Sequence, residues 1–162
     1  MNYYELFNIP VSPKVDMSVL QKKYYELQRA AHPDFHSGAS EEEKQTLLEL
    51  SAHINKAIVI FKDEQKSIAY FLELKGVLET DDKYALPNDF LMEMMELNEV
   101  LEDNNRESVV SAIQAIETHL AGSINGLLQK NDAEFTEEAL NRLKGYYYKK
   151  KYLQRILDRL HE

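Results

Sequence analysis

Apolar positions recur at helical spacing along most of this chain, interrupted by proline, glycine and polar runs. Leu20, Tyr24, Leu27 and Ala31 fall at i, i+4, i+7 and i+11, one buried stripe on a helix over 16–31. Ser18 and Gln21 have capping-box spacing at its start. The stripe stops at His32-Pro33-Asp34. Proline pushes the residue before it out of the α region, so this tripeptide belongs to a loop at the helix end. Beyond the loop-like "HSGAS", Ser40 and Glu43 form a second capping box, and Glu41, Glu42 and Glu43 suit the positive start of a helix. Leu47, Leu50, Ile54, Ala57, Ile58 and Phe61 carry the next stripe to residue 62. Two helices joined by so short a loop pack antiparallel. A short apolar segment, "NYYELFNIP", precedes this hairpin, and a short helix, "QKSIAYFLEL", follows it and ends at Gly76.

Residues 76–87 are polar and aperiodic and contain Gly and Pro, which reads as a linker. Three more helices are expected over 88–103, 105–129 and 136–161. Asn104 with Glu107 is placed to cap the second, and Thr136 with Glu137 and Glu138 to start the third. Ile113, Ile116, Leu120, Ile124 and Leu127 make one core stripe; Leu140, Leu143, Tyr147, Leu153, Leu157 and Leu160 make the other. The expectation is an all-α protein: a helical hairpin with flanking short helices over 1–75, a linker over 76–87, and a three-helix bundle over 88–162.

The first bundle helix has apolar residues on two faces. Phe90, Met94, Leu97 and Leu101 suffice to face a core. Leu91, Met92 and Met95 lie roughly 100 to 200° away around the helix, bordered by Glu96, Glu99 and Glu102. Such a helix needs two partners. On pattern alone the second face either packs on the N-terminal half or recognises another protein, for which adaptable Met side chains are suited.

The chain has 162 residues, of which 44% are hydrophobic and 29% charged, enough for a real core in one or two domains. With no Cys it has no disulfide, thiolate metal site or Cys nucleophile. No apolar run approaches the ~18 residues of a membrane span. The N-terminus lacks the basic-then-apolar order of a signal peptide, so a cytoplasmic location is expected. The net charge of −9 is unevenly spread. Residues 1–75 hold 9 basic and 11 acidic side chains, net −2; residues 76–140 hold 3 and 15, net −12; residues 141–162 hold 7 and 2, net +5. A nucleic-acid binder needs a basic face across its footprint. A basic last helix beside acidic neighbours reads instead as charge pairing inside the bundle.

Catalytic signatures are missing. "GSINGLLQK" lacks the Gly-Lys-Ser/Thr ending of a phosphate loop, and no Gly-x-Ser-x-Gly elbow occurs. His32 and His36 have helical ligand spacing, but Pro33 interrupts the helix and no third ligand is evident, so no metal or cofactor is expected. His32 with Asp34 as an acid–base pair has no nucleophile beside it. Alone, the tripeptide reads equally as turn chemistry or as a contact surface.

A hairpin with His-Pro-Asp in its loop, a short apolar segment before it and Ile54-to-Phe61 spacing after it resembles a J domain. The stretches "YYELFNIP", "LQRAAHPDF", "SAHINKAI", "AYFLELKG" and "DFLMEMMELNEVLED" narrow the resemblance to the HscB family, J-domain co-chaperones of iron–sulfur cluster assembly. The resemblance spans nearly the whole chain and is weakest after residue 130. It implies a non-enzymatic monomer that engages an HscA/DnaK-type chaperone ATPase through His32, Pro33 and Asp34, with Lys22, Lys23 and Arg29 on the preceding helix. It also implies an IscU-type scaffold bound through Leu91, Met92, Met95, Glu96 and Glu99, with Tyr147 as a C-terminal aromatic contact. A J-domain co-chaperone with another client, or one whose bundle dimerises, is the rival. Three residues depart from the family pattern. Phe35 stands where many J domains have Lys, Ser67 where Arg is frequent, and Glu26 interrupts the basic face.

Overall fold

The computed structural model describes residues 1–102 and 106–159. Every regular element among them is helical. The helices are α1 (Tyr3–Phe7), α2 (Met17–Ala31), α3 (Glu41–Lys62), α4 (Glu64–Leu74), α5 (Asn88–Glu102), α6 (Arg106–Ser123) and α7 (Glu137–Arg159), with 3-10 turns at Pro33–Phe35 and Asp132–Glu134. The chain divides into two compact units, Met1–Phe71 with Gln129–Glu134, and Leu72–Leu128 with Phe135–Glu162. The division departs from the expected boundaries in two places. It falls inside α4, and 129–134 belongs with the first unit, where the Asp132 N–H donates to the Val11 carbonyl at 2.8 Å. The Asn104 cap and Leu160 lie outside the described residues.

In the first unit α2 and α3 form the antiparallel hairpin, and α1 packs against both. Its register is set by polar pairs. Tyr24 donates to Asn55 Oδ1 at 2.9 Å, while Gln28 donates to the same oxygen at 2.9 Å and accepts from Ser51 Oγ at 2.7 Å. Leu20, Ala31, Ile54 and Ala57 are fully buried, with Tyr4, Phe7 and Phe61 filling the end nearest α1. Burying each large apolar side chain stabilises by about 1.5–3 kcal/mol. Burial also pushes the Tyr4 phenol pKa far up, and its hydroxyl donates to the Ser12 carbonyl at 2.9 Å.

Two local expectations need correction here. The N-cap of α2 is Asp16, not Ser18: Asp16 Oδ1 accepts from the Ser18 N–H at 2.9 Å, the Val19 N–H at 3.3 Å and the Ser18 hydroxyl at 2.6 Å. The Ser18 hydroxyl, followed by those backbone groups, holds the Asp16 carboxyl below its ordinary pKa. Leu50 is exposed instead of buried. Leu50 is 38% exposed while its neighbour Ser51, bonded to Gln28 of α2, is buried. The Ser40–Glu43 capping box is present as expected, with both reciprocal bonds made.

In the second unit α5, α6 and α7 form a three-helix bundle. Phe90, Met94 and Leu97 of α5, Ile116 and Leu120 of α6, and Leu143, Leu153 and Ile156 of α7 are buried. Thr136 caps α7 by accepting from the Ala139 N–H at 3.1 Å. Helix α6 stops at Ser123, short of 129. The Ser123 hydroxyl bonds back to the Leu120 carbonyl at 2.6 Å, i→i+3 bonds follow, and Gly126 has φ +82°. The left-handed turn at Gly126, which glycine tolerates, follows these bonds three residues past the helix end. Ile124 and Leu127 stay buried beyond the helix end.

The segment expected as a linker is instead bound to α7. Tyr84 stacks on Tyr148 with centroids 4.2 Å apart, and the Tyr148 hydroxyl bonds the backbone N–H and carbonyl of Glu79. Lys144 pairs with Glu79 at 2.8 Å, while Asp81 holds Lys151 at 2.8 Å and Arg155 at 3.2 Å. The basic surplus of α7 is thus partly matched by the acidic segment of its own unit. Because Asp81 accepts from Lys151, it raises that ammonium pKa above its ordinary 10.5; burial raises the Tyr84 and Tyr148 phenols above 10.0. All three groups hold protons more tightly folded than unfolded. Their contribution is therefore complete below their ordinary pKa values and is lost as pH rises through the raised ones. Asp81→Asn should cost about 0.5–1 kcal/mol, and the gap between variant and wild-type melting curves should narrow at rising alkaline pH as the Lys151 share is lost while Arg155 keeps its charge. Parallel curves through that range would mean the Asp81–Lys151 pair contributes nothing.

Candidate functional site

The His-Pro-Asp loop is held by backbone geometry that proline imposes. His32 closes α2, its N–H donating to the Gln28 carbonyl at 2.7 Å, and turns extended at φ −69°, ψ 129° ahead of Pro33. Pro33 opens the 3-10 turn; Phe35 N–H donates to His32 O at 3.1 Å and His36 N–H to Pro33 O at 3.0 Å. The Asp34 N–H donates to His32 Nδ1 at 3.2 Å, and Asp34 Oδ2 lies 3.5 Å from that nitrogen. His36 Nε2 lies 2.7 Å from the Ala30 carbonyl. The Asp34 side chain is 84% exposed and that of His32 43%.

The three cations of α2 are not equivalent. Lys22 and Arg29 are exposed, whereas Lys23 is half-buried, its Nζ donating to the Asn8 carbonyl at 3.0 Å. Asn8 is the left-handed C-cap of α1 (φ 52°), so Lys23 ties α2 to α1. Ser67 is buried, its hydroxyl donating to the Pro13 carbonyl at 2.6 Å, which explains a small residue at that position. The sequence pattern does not single out Tyr25, whereas Phe35 stands out as a departure from the family. Both are exposed beside Arg29. The one signal for Tyr25 is a large aromatic one position off the Leu20–Tyr24–Leu27–Ala31 stripe.

On α5 the two-faced pattern is realised. Phe90, Met94 and Leu97 are buried while Met92 and Met95 are 63% and 66% exposed; Leu91 is half-buried, and Glu96 and Glu99 are exposed. Met92, Met95, Glu96 and Glu99 share one stripe at helical spacing. Tyr147 does not join it as an exposed ring: it is buried at 9% exposure, edge-on to Tyr148 with centroids 5.1 Å apart and with Lys151 Nζ 5.8 Å over its ring. The run of three tyrosines turns inward because α7 buries Tyr146, Tyr147 and Tyr148 together, of which the periodic stripe holds one.

Among the described residues there is no group of three or more His, Cys, Asp or Glu that could hold a metal ion, and no helix long and apolar enough to cross a membrane.

The model of the "HSCB C-terminal oligomerisation domain" family matches residues 86–161. A co-chaperone protein HscB homolog of Shewanella woodyi is 32% identical over all of both chains. Another, from Vibrio cholerae serotype O1 (strain M66-2), is 30% identical over 99% of each. The crystal structure of the human co-chaperone protein HscB superimposes with a TM-score of 0.78 at 25% identity, covering 99% of this chain and 81% of that one. An antiparallel hairpin with His-Pro-Asp in its loop, followed by a three-helix bundle, defines a J-domain co-chaperone. Full-length similarity then narrows the class: the chain belongs to the HscB family of co-chaperones.

Proposed function

We propose that the chain is an adaptor that brings an IscU-type iron–sulfur scaffold to an HscA/DnaK-type chaperone and triggers ATP hydrolysis there. The observation that carries this reading is one open surface in each unit, the Asp34 loop beside Arg29 and the Met92–Met95 stripe on α5. The hydrolytic chemistry belongs to the partner. His32, Pro33 and Asp34, with Lys22 and Arg29, bind best the chaperone state poised to hydrolyse and so shift its population toward that state. Leu91, Met92, Met95, Glu96 and Glu99 hold the scaffold. The cluster stays on the scaffold as cargo, since this chain has no thiolate to take it.

Charge supplies the test. Reversing Lys22 or Arg29 to Glu should slow association with the chaperone, and raising salt should weaken the wild-type complex, because exposed charges are screened beyond about 8 Å at physiological ionic strength. A complex indifferent to both changes would contradict a role for this face. A second reading is favoured by the family model's description as an oligomerisation domain: a self-associating bundle that buries Met92 and Met95. Sedimentation separates the two, a concentration-independent monomer being expected for the adaptor.

A further inference from the structure

Tyr25 and Phe35 are 65% and 64% exposed, among the most exposed large apolar side chains of the first unit. Scattered exposed apolar residues are ordinary. These two are not scattered. With Glu26, Gln28 and Arg29 they line a single depression of about 440 Å³ between the last turns of α2 and the turn after His32-Pro33-Asp34. Their rings are oriented by the loop and helix themselves: Phe35 meets His32 edge-on at 6.2 Å and Tyr25 meets Tyr24 edge-on at 5.9 Å. By contrast Tyr3, Tyr4, Phe61 and Tyr70 contact one another in the first unit.

The charge around the depression says what else must fit. Glu26 sits one helical turn from both Lys22 and Arg29, so it offsets one of the two exposed cations on this face. Among the described residues no carboxylate forms an ion pair with Arg29. Attraction to an acidic partner through so small a net charge is weak and screened. Apolar contact is not screened, and an aromatic ring covers about 150–250 Å² when buried.

We propose that the depression between Tyr25 and Phe35 is an apolar socket for the chaperone. It receives an apolar patch of the chaperone's surface, with a neighbouring carboxylate meeting Arg29. The inference rests on the chaperone-binding reading of this face and specifies the partner's chemistry: an apolar patch beside an acid, rather than a uniformly acidic patch. The socket governs docking affinity, while the tripeptide governs the trigger.

The test is ATP turnover by the purified HscA/DnaK-type chaperone of the same cell, titrated with the full chain as wild type, Tyr25→Ala, Phe35→Ala, Phe35→Tyr and His32→Gln, with helicity checked by circular dichroism. Tyr25→Ala and Phe35→Ala should each raise the half-stimulating concentration about tenfold at an unchanged plateau. Phe35→Tyr should titrate like wild type, and His32→Gln should remove the plateau. Wild-type titrations from both Ala variants, with the plateau still lost in His32→Gln, would overturn the socket and leave the chaperone-binding reading standing. A lowered plateau at unchanged half-stimulating concentration would also overturn it, by placing the rings in the trigger. Wild-type behaviour from His32→Gln as well would overturn both.

Discussion

His32→Gln, and separately Asp34→Asn, will abolish stimulation of the partner ATPase while costing the chain no more than about 1 kcal/mol of stability. The stability side follows from exposure and from hydrogen bonding. Asp34 is 84% exposed, and the bond His32 Nδ1 accepts from the Asp34 N–H is an exposed one, of a kind worth about 0.5–1.5 kcal/mol net. A Gln carbonyl can accept the same bond. The functional side is of a different order, because a trigger acts through one geometry. Pro33 holds His32 extended, the 3-10 turn fixes Asp34 beside it, and neither side chain is engaged with the core. ATPase titration beside thermal melting checks both halves. Undiminished stimulation would remove the loop from the mechanism. A melting loss of several kcal/mol would make the tripeptide a structural turn.

The second large effect is expected on α5. Met92→Ala and Met95→Ala should each weaken scaffold binding by roughly 1–3 kcal/mol, as truncations at an interface centre do. The fold should hardly respond, because side chains 63% and 66% exposed contribute little to the core. Leu91 is half-buried, so Leu91→Ala should lower both affinity and stability, and the triple variant with Met92 and Met95 should lose the scaffold while still stimulating the ATPase through the loop. Glu96→Lys and Glu99→Lys should weaken binding if the scaffold has a basic rim. Isothermal titration with the scaffold, run beside melting curves, separates the cases. A drop in melting temperature with affinity intact for the two Met variants would place these side chains in a folding interface and end the client-site assignment.

Local periodicity makes the hairpin, the position of its loop and the two faces of α5 legible in the sequence, since each depends on neighbours three and four residues apart. The Ser40–Glu43 box is legible for the same reason. What escapes depends on contacts distant in sequence or on competition between near-equal local signals. Asp16 outcompetes Ser18 as a cap because one carboxylate oxygen takes two backbone N–H groups and a hydroxyl at once. The segment over 76–87 has no period, yet Glu79, Asp81 and Tyr84 are each matched to a partner on α7 more than sixty positions away. The tyrosine run on α7 carries three similar residues on successive positions, which no periodicity can sort. Leu50 shows the opposite error: its spacing is that of a core residue, yet it is exposed while adjacent Ser51 is buried against Gln28.

The most direct test of the adaptor account is single-turnover ATP hydrolysis by the chaperone, measured with this chain alone, with the scaffold alone, and with both together. An adaptor that holds the scaffold on α5 while its loop engages the ATPase predicts stimulation by the pair well beyond the sum of the separate effects, and a return to that sum when Met92 and Met95 are both Ala. Stimulation by the pair no greater than the sum with the wild-type chain would contradict the account.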